Sequence, residues 1–459
     1  MALTRRIPMT PEERQRCIRD VAERLAERLA EQWPETGADI NDLEDFAERM
    51  GQDVQREISE GALHEEAERR EGNQSACPCG GTATFQRYHG LTVVTAAGRV
   101  RVRRAYYHCE ACGNGHCPAD ARLRLGPGNT TPTAQARLAV LSALEPYVQV
   151  ADLIAQLGLP LELDLKSTER VTQAVGARVA KGLLRPHPKA TRPVAVGFDG
   201  VMIPTWEGYK EARVGVVYEP DWEASRTPEG EAGLRKEYFA TTGSRESLVA
   251  KACARALERA AGGVVAVVCD GSALDWVALE RYLPLRVEIL DFYHVLERVA
   301  EIAKAMHGEE AEAAAGWRAA MKKELLEIGP WELMRKLRAW EPENETAREV
   351  RRVQLAYFER QQERMGYPEY LRRRYPIGSG AVKGACKHVV ADRFDGGGMR
   401  WKLGTADPVM QLRAALLTQP RTDRRNDAGR KYAPAASSLP IKRITPLAGG
   451  FAPTGYESV

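Results

Sequence analysis

The chain has 459 residues, 44% hydrophobic and 28% charged, with a net charge of +3. Such a length exceeds one simple core and predicts roughly three domains. No apolar run approaches the ~20 residues of a membrane span and the first residues are charged, so the reading is a soluble cytoplasmic protein with no membrane partner.

The small net charge hides an uneven distribution. Residues 1–70 hold 11 Lys/Arg against 18 Asp/Glu, whereas residues 371–402 hold 8 against 2. A local basic stripe of the second kind suits a phosphate backbone. Nine cysteines are present, and Cys77, Cys79, Cys109, Cys112 and Cys117 cluster. In a cytosolic chain such clustering points to metal rather than to disulfides.

Residues 1–70 read as a helical arm for partner subunits or for the chain's own core. Thr10-Pro11-Glu12-Glu13 caps a first helix over 10–33, with Ile18, Val21, Leu25 and Leu29 at helical spacing. A second helix is predicted over Asp42–Arg69.

Residues 71–125 carry two short cysteine pairs, Cys77-Pro78-Cys79-Gly80 and Cys109-Glu110-Ala111-Cys112-Gly113. Strand-like sequence at Thr82–Tyr88 and Val100–Tyr107, with Gly98 at a turn, separates them. Zinc takes four thiolate or imidazole ligands in a tetrahedron, so two pairs joined by antiparallel strands predict a structural zinc ribbon. The first pair is one residue shorter than the usual spacing, which leaves His108, His116 or Cys117 as replacement ligands.

Residues 131–185 read as three helices. Thr131-Pro132-Thr133 caps the first, the second covers Val150–Leu157 and ends at Gly158, and the third spans Ser167–Leu184. The set fits a helix-turn-helix-like DNA-binding region. Arg185-Pro186-His187-Pro188 then serves as a linker.

From residue 190 to 295 the pattern becomes α/β. Val194–Phe198 reads as a buried strand ending near Asp199-Gly200, with short strands following near Val201–Pro204 and at Ala212–Tyr218. A helix is predicted over Ser244–Ala260. Val264–Cys269 is a buried strand ending at Asp270-Gly271, and Val287–Leu290 is a strand ending at Asp291-Phe292-Tyr293-His294. Three strands thus end in a carboxylate, and ligands of open α/β sheets gather at such ends. Residues 296–374 read as an inserted helical domain. Residues 375–418 hold a final helix, which Ser379 can cap, and a basic loop, Gly396-Gly397-Gly398-Met399-Arg400-Trp401. Phosphate contact and base stacking are expected there from Lys387, Arg393, Arg400 and an exposed Trp401. Asp407-Pro408 is expected to interrupt the helix that follows, and 419–459 reads as a disordered basic tail.

Taken together, the cysteine pairs, Asp199-Gly200-Val201-Met202, Asp270-Gly271, Asp291-Phe292-Tyr293-His294 and the run Gly378-Ser379-Gly380…Gly384-Ala385-Cys386-Lys387…Gly398-Met399-Arg400-Trp401 resemble a prokaryotic insertion-sequence DDE transposase of the Kra type. The resemblance covers roughly residues 70–417 in order. It implies an α/β RNase H-like catalytic core with an all-helical insertion. It also implies a homo-oligomer acting on double-stranded DNA at element ends, with Mg2+ or Mn2+ for strand cleavage and transfer. By resemblance the first acid is Asp199 and the second Asp270, with Asp291 and His294 in supporting roles. Two divalent ions about 3.5–4 Å apart would stabilise the attacking and leaving oxygens.

The third acid of the resembled pattern falls on Lys383, and an ammonium cannot ligate a cation. Neither Asp392, about 180° around the helix, nor Asp395 is a good substitute, and Glu369 is the remaining candidate. Two functions follow: a transposase that binds, cuts and joins DNA, crippled at its third acid, or an inactive derivative that only binds DNA.

Overall fold

The computed structural model of the chain describes residues 10–34, 37–70, 72–181, 190, 193–220, 233–271, 273–308 and 312–418. The expected linker at 185–188 and the tail at 419–459 lie outside them. The chain divides into two compact units, one up to Arg178 and one from Val179. Both mix helices with a β-sheet. Among the described residues no single helix is long and apolar enough to cross a membrane.

The first unit opens with two helices, α1 (Pro11–Gln32) and α2 (Ile40–Glu68). The second starts two residues earlier than expected. Asp39 and Asp42 form a reciprocal cap there, each side chain accepting from the other's backbone N–H. Then follow β1 (Gln74–Ala76), β2 (Thr82–Thr95), β3 (Gly98–His108) and β4 (Gly115–His116), an antiparallel sheet in sequence order. β2 and β3 form a long hairpin that turns at Gly98, whose φ of +110° suits only glycine. Its inner side chains, Val93, Val100 and Val102, pack with Ala67 of α2.

After α3 (Pro118–Leu123) come α4 (Pro132–Leu144), α5 (Tyr147–Gln156) and α6 (Leu165–Lys181). Thr131 caps α4 as expected. The tight turn falls between α4 and α5, which are bent by 117°. The connection from α5 to α6, residues 157–164, exceeds the three or four residues of a helix-turn-helix turn.

The second unit is built on five strands: β5 (Val194–Thr205), β6 (Gly208–Pro220), β7 (Gly233–Thr241), β8 (Val265–Cys269) and β9 (Arg286–Leu290). Their order is β7-β6-β5-β8-β9. The first three pair antiparallel, and β5, β8 and β9 run parallel. One face buries Val194, Val196, Phe198, Val265, Val267 and Cys269 against α7 (Arg245–Ala260), with α8 (Ala273–Tyr282) alongside. Fully burying a Val or Leu side chain contributes about 1.5–3 kcal/mol, so this face is a principal source of stability. Five helices follow β9: α9 (Phe292–His307), α10 (Glu312–Glu327), α11 (Trp331–Ala339), α12 (Glu345–Gln361) and α13 (Tyr367–Arg372). The chain then returns as α14 (Gly380–Ala385), a π-helical turn (Cys386–Ala391), α15 (Asp392–Phe394) and α16 (Leu403–Leu417).

Three expectations change. β5 is one unbroken strand, because β6 pairs with it all the way from Ala195 to Thr205. Asp199 therefore lies inside a strand, and it is the neighbour β8 that stops beside it. Edge strand β7 falls in a stretch to which the sequence reading assigns no element. Finally, Asp407 and Pro408 lie within α16. The proline's missing donor is offset by burial of Ala406, Val409, Met410 and Leu412, and Asp407 bonds Thr241 Oγ1 and Thr242 N.

Candidate metal centre and carboxylate site

The four cysteines named from the sequence converge. Cys77, Cys79, Cys109 and Cys112 place their sulfurs within 4.8 Å of one another. Cys77 Sγ lies 3.7 Å from Cys112 Sγ, and Cys79 Sγ lies 3.8 Å from Cys109 Sγ. Sulfurs bound to one zinc at ~2.3 Å in a tetrahedron stand about 3.8 Å apart, so the donor set fits that ion. Two turns build the site. Gly80 N–H donates to Cys77 O and Gly113 N–H to Cys109 O, and both glycines have positive φ. His108, His116 and Cys117 are not in the group. Gly81 lies against the site, where a Cβ would stand 3.4 Å from the sulfurs of Cys79 and Cys109.

The thiols respond to this crowding. The Asn114 backbone N–H, then the neighbouring Cys79 sulfur, lower Cys112 to about 7. For Cys77 the Cys79 backbone N–H pulls downward most, but burial and the three other sulfurs together push it up to about 12. A cation bound among these sulfurs would favour their thiolate forms, so metal binding there would release protons.

The carboxylates are set by strand register. β5 and β8 pair from Val194↔Val265 to Gly197↔Val268. Continued two residues beyond its last pair, the same register brings Asp199 towards Asp270, and the Asp270 charge acts on the Asp199 carboxyl. β8 and β9 pair up to Cys269↔Leu290, a register that brings Asp291 towards Asp270 in turn. Alternation puts Asp199 on the face opposite the α7 core, with Gly197. Above Gly197 lies α14, where a Cβ on this glycine would touch Val382. Burial first, and then the charges of Asp270 and Asp291, push the Asp199 carboxyl above its ordinary range. The Gly200 N–H and the Lys383 ammonium oppose that rise. Burial and the Asp199 charge push the Cys386 thiol up to about 12.

Asp291 has a different setting. It is 3% exposed, and its oxygens accept from Ser379 Oγ at 2.6 Å, Ser379 N at 3.0 Å and Tyr293 N at 3.2 Å. It thus caps α9 and holds the turn that starts α14. Ser379 does not cap α14 with its side chain, as the sequence had suggested, because its hydroxyl is given to Asp291. Gly378 is required beside it, since a Cβ there would strike the Tyr293 ring.

Lys383 projects from α14, half exposed, with Nζ 4.0 Å from Glu297 Oε1 on α9. Glu297 also takes His294 Nδ1 at 3.3 Å, which places His294 beside the α9–α14 pair. Glu297, Lys383, Arg318 and Lys322 line a cleft of about 580 Å³ between α9, α10 and α14. The alternative acids are engaged elsewhere: Glu369 holds Arg372 and Arg373, and Asp392 holds His388. Among the described residues the four cysteines are the group of three or more donors placed to share one ion, and the three aspartates are not in it.

The inserted helices brace the site in a way the sequence did not disclose. Tyr357 Oη donates to Asp270 O at 3.1 Å and Gln361 Nε2 to Gly271 O at 3.2 Å. Nothing in the helical pattern of α12 singles out these two side chains.

Of the four residues expected to meet DNA, Lys387 and Arg400 are exposed. The other two are corrected. Trp401 is buried, tilted on Phe394 at 4.6 Å, and its backbone bonds Pro204 O and Trp206 N. Arg393 is buried, with its guanidinium 5.0 Å from the Trp401 ring. The indole closes the core instead of offering a stacking surface. Compared with known proteins, the chain matches no family model and no curated protein.

Proposed function

We propose that this chain is a DNA-binding protein of transposase descent, with an RNase H-like core, that engages the ends of a mobile element as a homo-oligomer without cutting them. The observation that carries this reading is the parallel pairing of β5 with β8, whose register runs towards Asp199 and Asp270, with the Asp270 and Lys383 charges both acting on Asp199. The strand order, two antiparallel partners on one side of β5 and two parallel ones on the other, supports the RNase H-like part of this reading. The resemblance to Kra-type insertion-sequence transposases supplies the partner, double-stranded DNA. Where the resemblance expects an acid, α14 carries the Lys383 ammonium, which opposes capture of Mg2+ or Mn2+.

A second reading, metal-dependent DNA cleavage and transfer, is favoured by one observation. The charges of Asp270 and Asp291 both act on Asp199 beside that of Lys383, so the acids near it outnumber the cation. A plasmid nicking and strand-transfer assay in Mg2+ or Mn2+ decides between them. The expected outcome is no product from the natural chain and product from Lys383→Glu, abolished when Asp270→Ala is added. Product from the natural chain that Asp270→Ala removes would establish the second reading instead.

A further inference from the structure

Residues 82–108 contain five arginines and no Asp or Glu, in a unit whose first 70 residues are strongly acidic. The hairpin of β2 and β3 sorts these charges by face. Along β3, Val100 and Val102 are buried while Arg99, Arg101 and Arg103 are exposed. The inner valines pack on α2, so the three guanidiniums stand in a row on the outer face, about 6.8 Å apart at two residues per step. Across from Arg99, Arg101 and Arg103 the same face of β2 carries the buried Val94, then Thr92 and Gly90, with Tyr88 one step further on. Tyr88 is exposed, with the Arg103 guanidinium 5.2 Å from its ring.

We propose that this outer face is a nucleic-acid interface that tracks the phosphate backbone of duplex DNA. The partner follows from charge. A straight row of guanidiniums without an interleaved acid complements a linear polyanion, and Arg is suited to phosphate by its planar fork of donors. Two acids approach the row from other elements. Glu68 lies 3.1 Å from Arg103 and Glu162 lies 3.3 Å from Arg99. The Arg99 pair is exposed on both sides and the Arg103 guanidinium is itself exposed, so both cations stay open to phosphate, and the Arg99 pair in particular is weak. Arg101, at the centre, has no ion-pair partner among the described residues. The cysteine site lies where β2 starts and β3 ends, so a bound ion would fix the hairpin's register and hold the row straight. The face reads no base and so binds without sequence preference. The inference rests on the proposed DNA-binding function and assigns it a surface.

The test uses the full zinc-loaded chain and a random-sequence duplex, with affinity followed by fluorescence anisotropy as salt is raised. Each lost phosphate contact removes about 0.9 from the slope of log K against log salt, so Arg99→Gln/Arg101→Gln/Arg103→Gln should flatten it by about 2.7. Between 50 and 200 mM salt the natural chain should therefore lose about 40-fold more affinity than the variant. The triple Lys variant should keep the natural slope. Should the triple Gln variant fail to fold, Arg101→Gln alone should remove about 0.9. A natural chain that binds while the Gln variants keep its slope overturns the hairpin assignment alone. A natural chain that does not bind duplex DNA overturns the assignment and the proposed function together.

Discussion

Three neighbouring aspartates behave differently because their surroundings differ. Asp291 spends its charge on three hydrogen-bond donors, and truncating it would loosen α9 and α14 together. Asp199 has only the Gly200 N–H and distant help from Lys383 against burial and two neighbouring anions. Its folded value is raised above the ordinary 3.8, and the sign of the consequence follows. Below 3.8 the group is protonated in the folded and unfolded chains alike, and its favourable share of stability is complete. As pH rises through the folded value, that share is lost, because ionisation is easier in the unfolded chain. Asp199→Asn should therefore melt higher than the natural chain at neutral pH, with the gain shrinking to nothing as pH falls towards 3.8. A variant that melts lower at neutral pH would show that Lys383 outweighs burial. Residues held against stability in this way are concentrated at functional sites.

At the scale of elements, the sequence showed where side chains alternate and hid where neighbouring strands stop. Asp199-Gly200 looked like a strand end, since a carboxylate and a glycine usually break strands. The glycine is there to leave the space taken by the Glu211 carboxylate across the hairpin, and β5 runs on. The carboxylate pair was legible because parallel pairing preserves the apolar pattern of both strands up to the acids. The strand β7 was not, because Arg235, Lys236 and Glu237 interrupt the apolar pattern that marks a strand. In the fold Glu237 is buried against Arg255 at 2.9 Å, a pairing no local pattern announces. Trp401 misled for a related reason, since glycines before an aromatic suggest exposure while the ring closes a core. Pro408 misled most instructively. A proline inside a helix costs ~3 kcal/mol, yet α16 absorbs it because Asp407 ties the helix to the end of β7. Asp407 accepts from Thr241 Oγ1 at 2.5 Å and Thr242 N at 2.8 Å. Asp407→Ala should then cost about 2–3 kcal/mol from lost bonds to a charged acceptor. Thermal melting would show it as a fall of roughly 4–10 °C. A fall under about 1 °C would mean that apolar packing alone holds the helix.

The two units of the whole molecule draw stability from different sources, and this sets how the chain should respond to chelation. The unit from residue 179 has a continuous apolar face shared by β5, β8 and α7. The sheet in the unit up to Arg178 has two smaller apolar clusters, one around Val93, Val100 and Val102 and one at the cysteines, where Cys77, Ala83, Ala105, Tyr107 and Cys109 pack together. In that second cluster the sulfurs are both core and ligand, so removing an ion leaves crowded thiols where packing should be. Binding of structural zinc supplies folding free energy directly, on the order of 10 kcal/mol in small zinc modules. A strong chelator should therefore release about one zinc per chain, the number a single four-thiolate site holds. Hydrogen exchange should then accelerate across β1 to β4, with β5, β8 and β9 still protected. Cys112→Ser should reproduce both effects without chelator. Unchanged exchange in β2 and β3 after the metal has gone would assign the hairpin's order to its valines and α2, and the cysteines would then serve some purpose other than holding it.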